Sequence, residues 1–214
     1  VPGLEGVRQR IAAAAARAGR SVEEITLVAI TKGRSVSDVR HLYDLGIRHF
    51  GENRIPEAKP KIMEMPSDVI WHMVGNLQRR KASAAVQLFQ RVDAVDRVEL
   101  AQVLSRRAHE IGKTLEVLVE VNVSGEASKH GAAPDALTHA LEEISSMPNI
   151  RVGGLMTMAP FTEDERLVRE VFRNLYNLSV SNKLPIISMG MSSDFEIAIE
   201  EGATEVRIGT ALFV

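Results

Sequence analysis

Eight short runs rich in Val and Ile recur along this chain, each separated from the next by a longer stretch with helical spacing, and that alternation constrains the fold more than any other feature. The runs lie near Thr26–Thr31, Ile47–Gly51, Val69–Val74, Arg91–Val95, Leu115–Val123, Val152–Met156, Ile186–Met191 and Glu205–Ile208. Helices are expected to start near Val36, Pro56, Leu77, Arg97, Pro134, Glu163 and Ser193, several marked by Ser, Asp or Pro in the first turn. Ahead of the first run, Leu4, Val7, Ile11, Ala14, Ala15 and Ala18 share one helical face, which ends at Gly19. The pattern predicts an α/β fold, a (β/α)8 TIM barrel forming one domain over residues 1–214. Because the chain stops just after the eighth run, the extra N-terminal helix is expected to cover the wall that an eighth helix would cover. Such barrels take about 250 residues, so this is a compact one; an open doubly wound sheet is the other arrangement the pattern permits.

Composition narrows the function classes. With 45% apolar residues the chain can bury a real core, and a formal charge of -2 with acids and bases interspersed points away from nucleic acid and anionic membrane. Cysteine is absent, which removes disulfides, thiolate nucleophiles and cysteine metal sites and fits a reducing compartment. No stretch approaches the roughly 20 apolar residues of a membrane span, and the opening Val-Pro-Gly-Leu-Glu lacks the layout of a signal peptide, so a cytoplasmic protein is expected. The six histidines show no ligand spacing, so no metal site is expected.

Lys32 stands alone at the end of Thr26-Leu-Val-Ala-Ile-Thr31, where a buried strand would deliver it to a pocket floor. That is a position suited to a Schiff-base lysine. Bringing a lysine from about 10.4 to near 7 takes about 4 kcal/mol of ammonium destabilisation, which a dry barrel mouth is expected to supply. Far away in sequence, Ser188-Met-Gly-Met-Ser192 and Val206-Arg-Ile-Gly-Thr210 offer two glycine- and hydroxyl-bearing strand ends of the kind that cradle a phosphate. Ser193-Asp-Phe-Glu196 reads as a capping box, so a helix with free backbone amides is expected beside the Ser192 hydroxyl. Gly209 lets backbone approach an anion closely, and Thr210 adds an amide and a hydroxyl. Arg207 faces opposite to Val206 and Ile208 and is either a donor to a pyridine nitrogen or one half of an ion pair with Glu205 or another acid. Asn53, after Gly51-Glu, is either a polar wall of the pocket or the start of the next helix. His72 reads as a core histidine, Arg79-Arg80-Lys81 as a solvated helix face, and Ser128-Lys129-His-Gly131 as a mobile loop. A lysine with a phosphate cup suggests pyridoxal 5'-phosphate.

These motifs together resemble the pyridoxal phosphate homeostasis protein family, whose fold is similar to the barrel domain of alanine racemase. The resemblance runs through Leu27-Val-Ala-Ile-Thr-Lys32, Phe50-Gly-Glu-Asn53, Trp71-His-Met-Val-Gly75 with Leu77-Gln78, Val121-Asn-Val-Ser124, Ser128-Lys129 with Gly131, Gly154-Leu-Met156, Ser188-Met-Gly-Met-Ser192 and Val206-Arg-Ile-Gly-Thr210. It implies that Lys32 forms the Schiff base, that Ser192, Gly209 and Thr210 contact the phosphate, and that Arg207 is the partner of the ring nitrogen. Thr31 stands where the family usually has Ser, Arg54 and Pro56 alter the segment after Asn53, and Arg80 takes a place often held by Asn. Relative to the family pattern, the chain stops short of a closing Gly-containing tail.

The resemblance implies a cofactor carrier in intracellular homeostasis, with pyridoxal phosphate, free amino acids and cofactor-accepting enzymes as partners and a monomer as the expected state. Two other readings compete. A racemase needs a second acid/base beside Lys32, and Tyr43 and Tyr176, the two tyrosines, both fall in helical patterns. A Schiff-base aldolase would use Lys32 on a sugar phosphate and would be colourless.

Overall fold

The computed structural model describes residues 2–125 and 130–213. Eight parallel strands close in sequence order: β1 (Thr26–Ile30), β2 (His49–Glu52), β3 (Ile70–Met73), β4 (Arg91–Val95), β5 (Leu115–Glu120), β6 (Ile150–Met156), β7 (Ile186–Ser188) and β8 (Glu205–Ile208). β1 pairs with both β2 and β8, which shuts the ring and leaves no free edge. Each run expected from sequence is a strand, and the open-sheet arrangement is excluded. The Ser128-Lys129 pair lies outside the described residues.

Eight helices surround the strands: α1 (Pro2–Arg17), α2 (Val36–Asp44), α3 (Ile55–Glu64), α4 (Ala82–Leu88), α5 (Val98–Glu110), α6 (Leu137–Ser145), α7 (Glu165–Ser181) and α8 (Phe195–Glu200). α1 packs on α8 and on the closing turn Thr210–Leu212, so it covers the wall of the barrel beside β8. Leu4, Val7, Ile11, Ala14 and Ala15 form its buried stripe. Its end is a Schellman motif: the Arg20 amide donates to Ala15 O at 2.9 Å, the Gly19 amide donates to Ala16 O, and Gly19 takes φ +65. The helix expected near Leu77 starts at Ala82, after a turn at Arg79–Lys81 whose side chains are exposed as expected.

Two distinct layers are buried. Between strands and helices lies an apolar core that includes Ala29, Phe50, Trp71, Val92, Val117, Leu155 and Val206. Inside the ring, the alternate strand positions form a layer that is apolar near Ala94, Leu118 and Met156 and ionic elsewhere. Register shifts in β4 between Val92 and Val95 and between β5 and β6 at Val117/Leu118 interrupt the simple alternation, so Arg91 and Asp93 face inward below Ala94, while Leu118 and Met156 mark the inward side of β5 and β6.

Candidate functional site

The carboxyl ends of all the strands share one rim. Lys32 lies there, one residue beyond the Thr31–Gly51 backbone bond that prolongs β1. It occupies the second position of the turn Thr31–Arg34, closed by the Arg34 amide donating to Thr31 O at 3.0 Å, with Gly33 at φ +70. That φ at the third position is the type II geometry that favours glycine. Lys32 is exposed and shares a concavity of about 340 Å³ with Gly33, Asn53, Arg54 and Glu57. The expected dry pocket around its amine is therefore corrected. The turn lifts the side chain past the end of the strand, and among the described residues nothing roofs it.

Behind Lys32, on the helix side of the sheet, sits a cluster that the sequence reading missed. Lys61 of α3 is buried, and its Nζ donates to Thr31 O at 2.7 Å and to Glu52 Oε1 at 2.6 Å. Thr31 Oγ1 donates to the same carboxylate oxygen, while Glu52 Oε2 is buried without a hydrogen bond. The ammonium thereby anchors the backbone carbonyl next to Lys32. A lysine on the same helical face as Ala58 is the signal that could have disclosed it.

Asn53 does not start the following helix, because the N-cap of α3 is Arg54. Its Oδ1 is buried without a hydrogen-bond partner among the described residues, and its backbone packs so closely on Gly75 that a Cβ there would stand 2.6 Å from Asn53 O. Asn53 thus presents a vacant acceptor at the mouth, on the strand beside Lys32.

On the other side of β1, the two glycine-bearing turns meet. The Gly209 amide approaches Ser192 Oγ at 3.4 Å, and a Cβ at Gly209 would stand 3.4 Å from Ile30 Cβ. Ser192, Gly209 and Thr210 therefore share the rim with the end of β1. Thr210 opens a 3-10 turn whose first amides have no acceptor within the turn. The capping box expected at Ser193 is absent: the N-cap of α8 is Asp194, and Glu196 pairs with Arg10 instead. Asp194 Oδ1 accepts from the Met191 amide at 2.6 Å, and the Asp194 and Phe195 amides donate to Met191 O. The free amides expected there are reduced to those of Ser192 and Ser193 among the described residues. Gly190, at φ +93, is required by the turn, since a Cβ would stand 2.6 Å from Ala198 Cβ.

Arg207 points inward and is 5% exposed. Nη1 donates to Ser188 Oγ at 2.7 Å and Nη2 to Thr157 O at 2.9 Å; the direct ion pair with Glu205 does not form. Ser188 stands between them, donating to Glu205 Oε1 at 2.7 Å. Burial pulls the Arg207 guanidinium below its usual range, opposed by Glu205, Asp93, Glu120 and Asp194. Its remaining N–H donors have no hydrogen-bond partner among the described residues.

Beneath Arg207 an ionic ladder fills the barrel. Arg91 donates to Asp93 Oδ1 at 2.6 Å and also to Glu205 Oε2. His72 Nδ1 donates to Asp93 Oδ2 at 3.0 Å, and His72 Nε2 lies 3.0 Å from His49 Nδ1. His72 is thus a core histidine, as expected, within a larger network. Ligand atoms of His72, Asp93 and Glu205 lie within 4.8 Å of one another, a spacing a metal could use, but the Arg91 guanidinium is bonded to both carboxylates. Burial pushes the Asp93 carboxyl up, yet Arg91 and His72 outweigh it and hold the group well below the usual carboxylate range.

Burial, with His72 alongside, lowers His49 from 6.5 to about 4. A histidine whose native pKa is depressed stabilises the fold fully above its unfolded value of 6.5 and loses that contribution as pH falls towards 4. Urea midpoints should therefore drop between pH 7 and pH 4.5, and His49→Asn should flatten that slope.

Both tyrosines lie away from the mouth. Tyr43 of α2 bonds Asp68, and Tyr176 of α7 packs where a Cβ at Gly202 would be. One inward acid at the mouth was also missed from sequence: Glu120, at the end of β5, 4% exposed, its carboxylate without a hydrogen-bond partner among the described residues. Among the described residues, no helix is long and apolar enough to cross a membrane.

Known proteins share this fold. Residues 4–214 match the alanine racemase N-terminal domain family. A pyridoxal phosphate homeostasis protein of Aquifex aeolicus is 39% identical over 98% of this chain and 95% of its own length. One from Pseudomonas aeruginosa is 41% identical over 97% of this chain and 91% of its own. The solved structure of PipY of Synechococcus elongatus PCC7942 with PLP bound superposes with a TM-score of 0.84 at 32% identity, covering 97% of this chain and 100% of that one. The chain belongs to the pyridoxal phosphate homeostasis protein family, within the alanine racemase N-terminal domain family.

Proposed function

We propose that this barrel holds pyridoxal 5'-phosphate on Lys32 and serves as a carrier in intracellular homeostasis of that cofactor. The observation that carries the reading is the meeting of three things at neighbouring strand ends: the exposed Lys32 turn, the Ser192–Gly209 contact and the buried Arg207. PipY, its relative, binds PLP.

The donor set fits the group. Ser192, Gly209 and Thr210 offer hydroxyls and amides to a phosphate, the closest approach being allowed by the missing Cβ of Gly209. The Lys32 amine is the nucleophile towards an aldehyde, and the vacant Asn53 acceptor flanks it. Arg207, steadied by Ser188 and Thr157, aims at a ring nitrogen a donor that does not surrender its proton. When bound, the cofactor supplies an electrophilic aldehyde and an electron-accepting ring. Arg207 would leave a ring nitrogen beside it unprotonated, which would weaken the sink and suit storage and delivery better than carbanion chemistry. We place the protein in the cytoplasm as a single-domain monomer, exchanging cofactor with free amino acids and acceptor enzymes.

The phosphate cup is tested by comparing pyridoxal phosphate with pyridoxal in equilibrium titrations read in the visible. Ser192→Ala with Thr210→Ala should weaken pyridoxal phosphate by about ten-fold or more, as expected for lost charge-assisted hydrogen bonds, and leave pyridoxal untouched. Equal losses for both ligands would place the phosphate elsewhere.

A further inference from the structure

The mouth has a second face. In the ring order, β4 and β5 lie half-way round from β8 and β1, so the ends of β4 and β5 look across the mouth at the phosphate cup. Ala94 and Leu118 point inward, and alternation carries Asp96 and Glu120 to the same side; the register Val95↔Val119 sets them next to each other. One face of the mouth is therefore basic and the opposite face acidic.

We propose that Glu120 and Asp96 form an ammonium-recognition subsite that takes small molecules bearing a primary amine, with amino acids as the natural class. The inference rests on the cofactor reading above, whose amine-exchange partner it specifies. Glu120 is 4% exposed and points inward, and its carboxylate has no hydrogen bond or ion pair among the described residues. An ionised carboxylate only accepts, so one at a mouth with no donor among the described residues is open to a donor brought by a ligand. Asp96 is 8% exposed and its Oδ1 is buried without a hydrogen bond. Its neighbours stand off: Arg97 Nε at 3.4 Å, Asn76 Nδ2 at 3.5 Å and His130 Nδ1 at 3.7 Å, all longer than the roughly 2.7–2.9 Å of a charge-assisted bond. Arg207 is a nearby counter-charge, but its bonded donors go to Ser188 and Thr157, and it forms no hydrogen bond with either carboxylate among the described residues.

Burial raises the Glu120 carboxyl above its ordinary range, and Asp96 raises it further, against His130 and Arg207.

The test titrates cofactor-loaded protein with ethylamine, a cation at neutral pH, and with methoxyamine, an uncharged nucleophile, following the fraction of Lys32 that borohydride still traps as a cofactor adduct. In Glu120→Gln and in Asp96→Asn, the ethylamine midpoint should rise about ten-fold or more, while methoxyamine keeps its wild-type midpoint. An unchanged ethylamine midpoint, or parallel changes with both probes, overturns the subsite. Wild-type protein that never acquires a visible band overturns the cofactor reading itself, so the two failures are told apart.

Discussion

Lys32→Ala should abolish the visible absorption of protein loaded with pyridoxal phosphate and lower affinity by about two orders of magnitude, roughly 3 kcal/mol. The residual binding would come from Ser192, Gly209, Thr210 and Arg207, which the substitution leaves in place. Lys61 cannot take over: its ammonium is buried on the opposite side of the strand and already bonded to Thr31 O and Glu52. Nor should the fold suffer, because Lys32 is exposed in a turn whose special backbone belongs to Gly33. Equilibrium dialysis with visible spectra checks both parts. Retention of the band in the variant would move the attachment to another amine.

The largest stability effect is expected at Arg91. Among the described residues it alone bonds both Asp93 and Glu205 inside the barrel, and Arg91→Met would strand two buried carboxylates without that cation. Breaking a buried pair from one side costs about 3–5 kcal/mol, which for a chain of this size is a fall in Tm of roughly 6–20 °C. The sign of its pH dependence is set by Asp93, whose native pKa is depressed. Such a group stabilises the fold above its unfolded pKa of about 3.9 and loses that contribution as pH falls through the native value. The gap between wild type and variant should therefore be widest near neutrality and narrow in acid. Adding Asp93→Asn and Glu205→Gln to the variant should recover part of the loss. Thermal melts between pH 3 and pH 7 measure all of this.

The barrel was legible because the same signal repeats eight times and each repeat was strong: Val, Ile and Leu at strand spacing, then a helical stripe. The boundaries were less so. β5 stops at Glu120 and β7 at Ser188, short of the apolar runs that continue to Val123 and Met191, because the chain leaves the ring where it turns towards the mouth. Lys32, Asn53, Ser192, Arg207, Gly209 and Thr210 were all readable as strand-end residues, and the structure gathers them on one rim around β1, β2, β7 and β8. The dryness of the pocket was not readable, since exposure depends on what covers a turn. The ionic ladder was hidden for another reason. In Arg91-Val-Asp93, alternating charge reads as a strand with one wet face, yet a closed barrel has none, and the charges had to turn inward and find one another. Glu120 was hidden likewise, at a strand end whose significance comes only from the register with β4.

Reductive trapping measures the central claim most directly. Protein loaded with pyridoxal phosphate is reduced with borohydride, digested and mapped by mass spectrometry. The structure predicts a single stoichiometric adduct on Lys32, lost when the phosphate is omitted at low ligand concentration. An adduct carried by Lys61, or spread over exposed lysines with Lys32 unmodified, would contradict it.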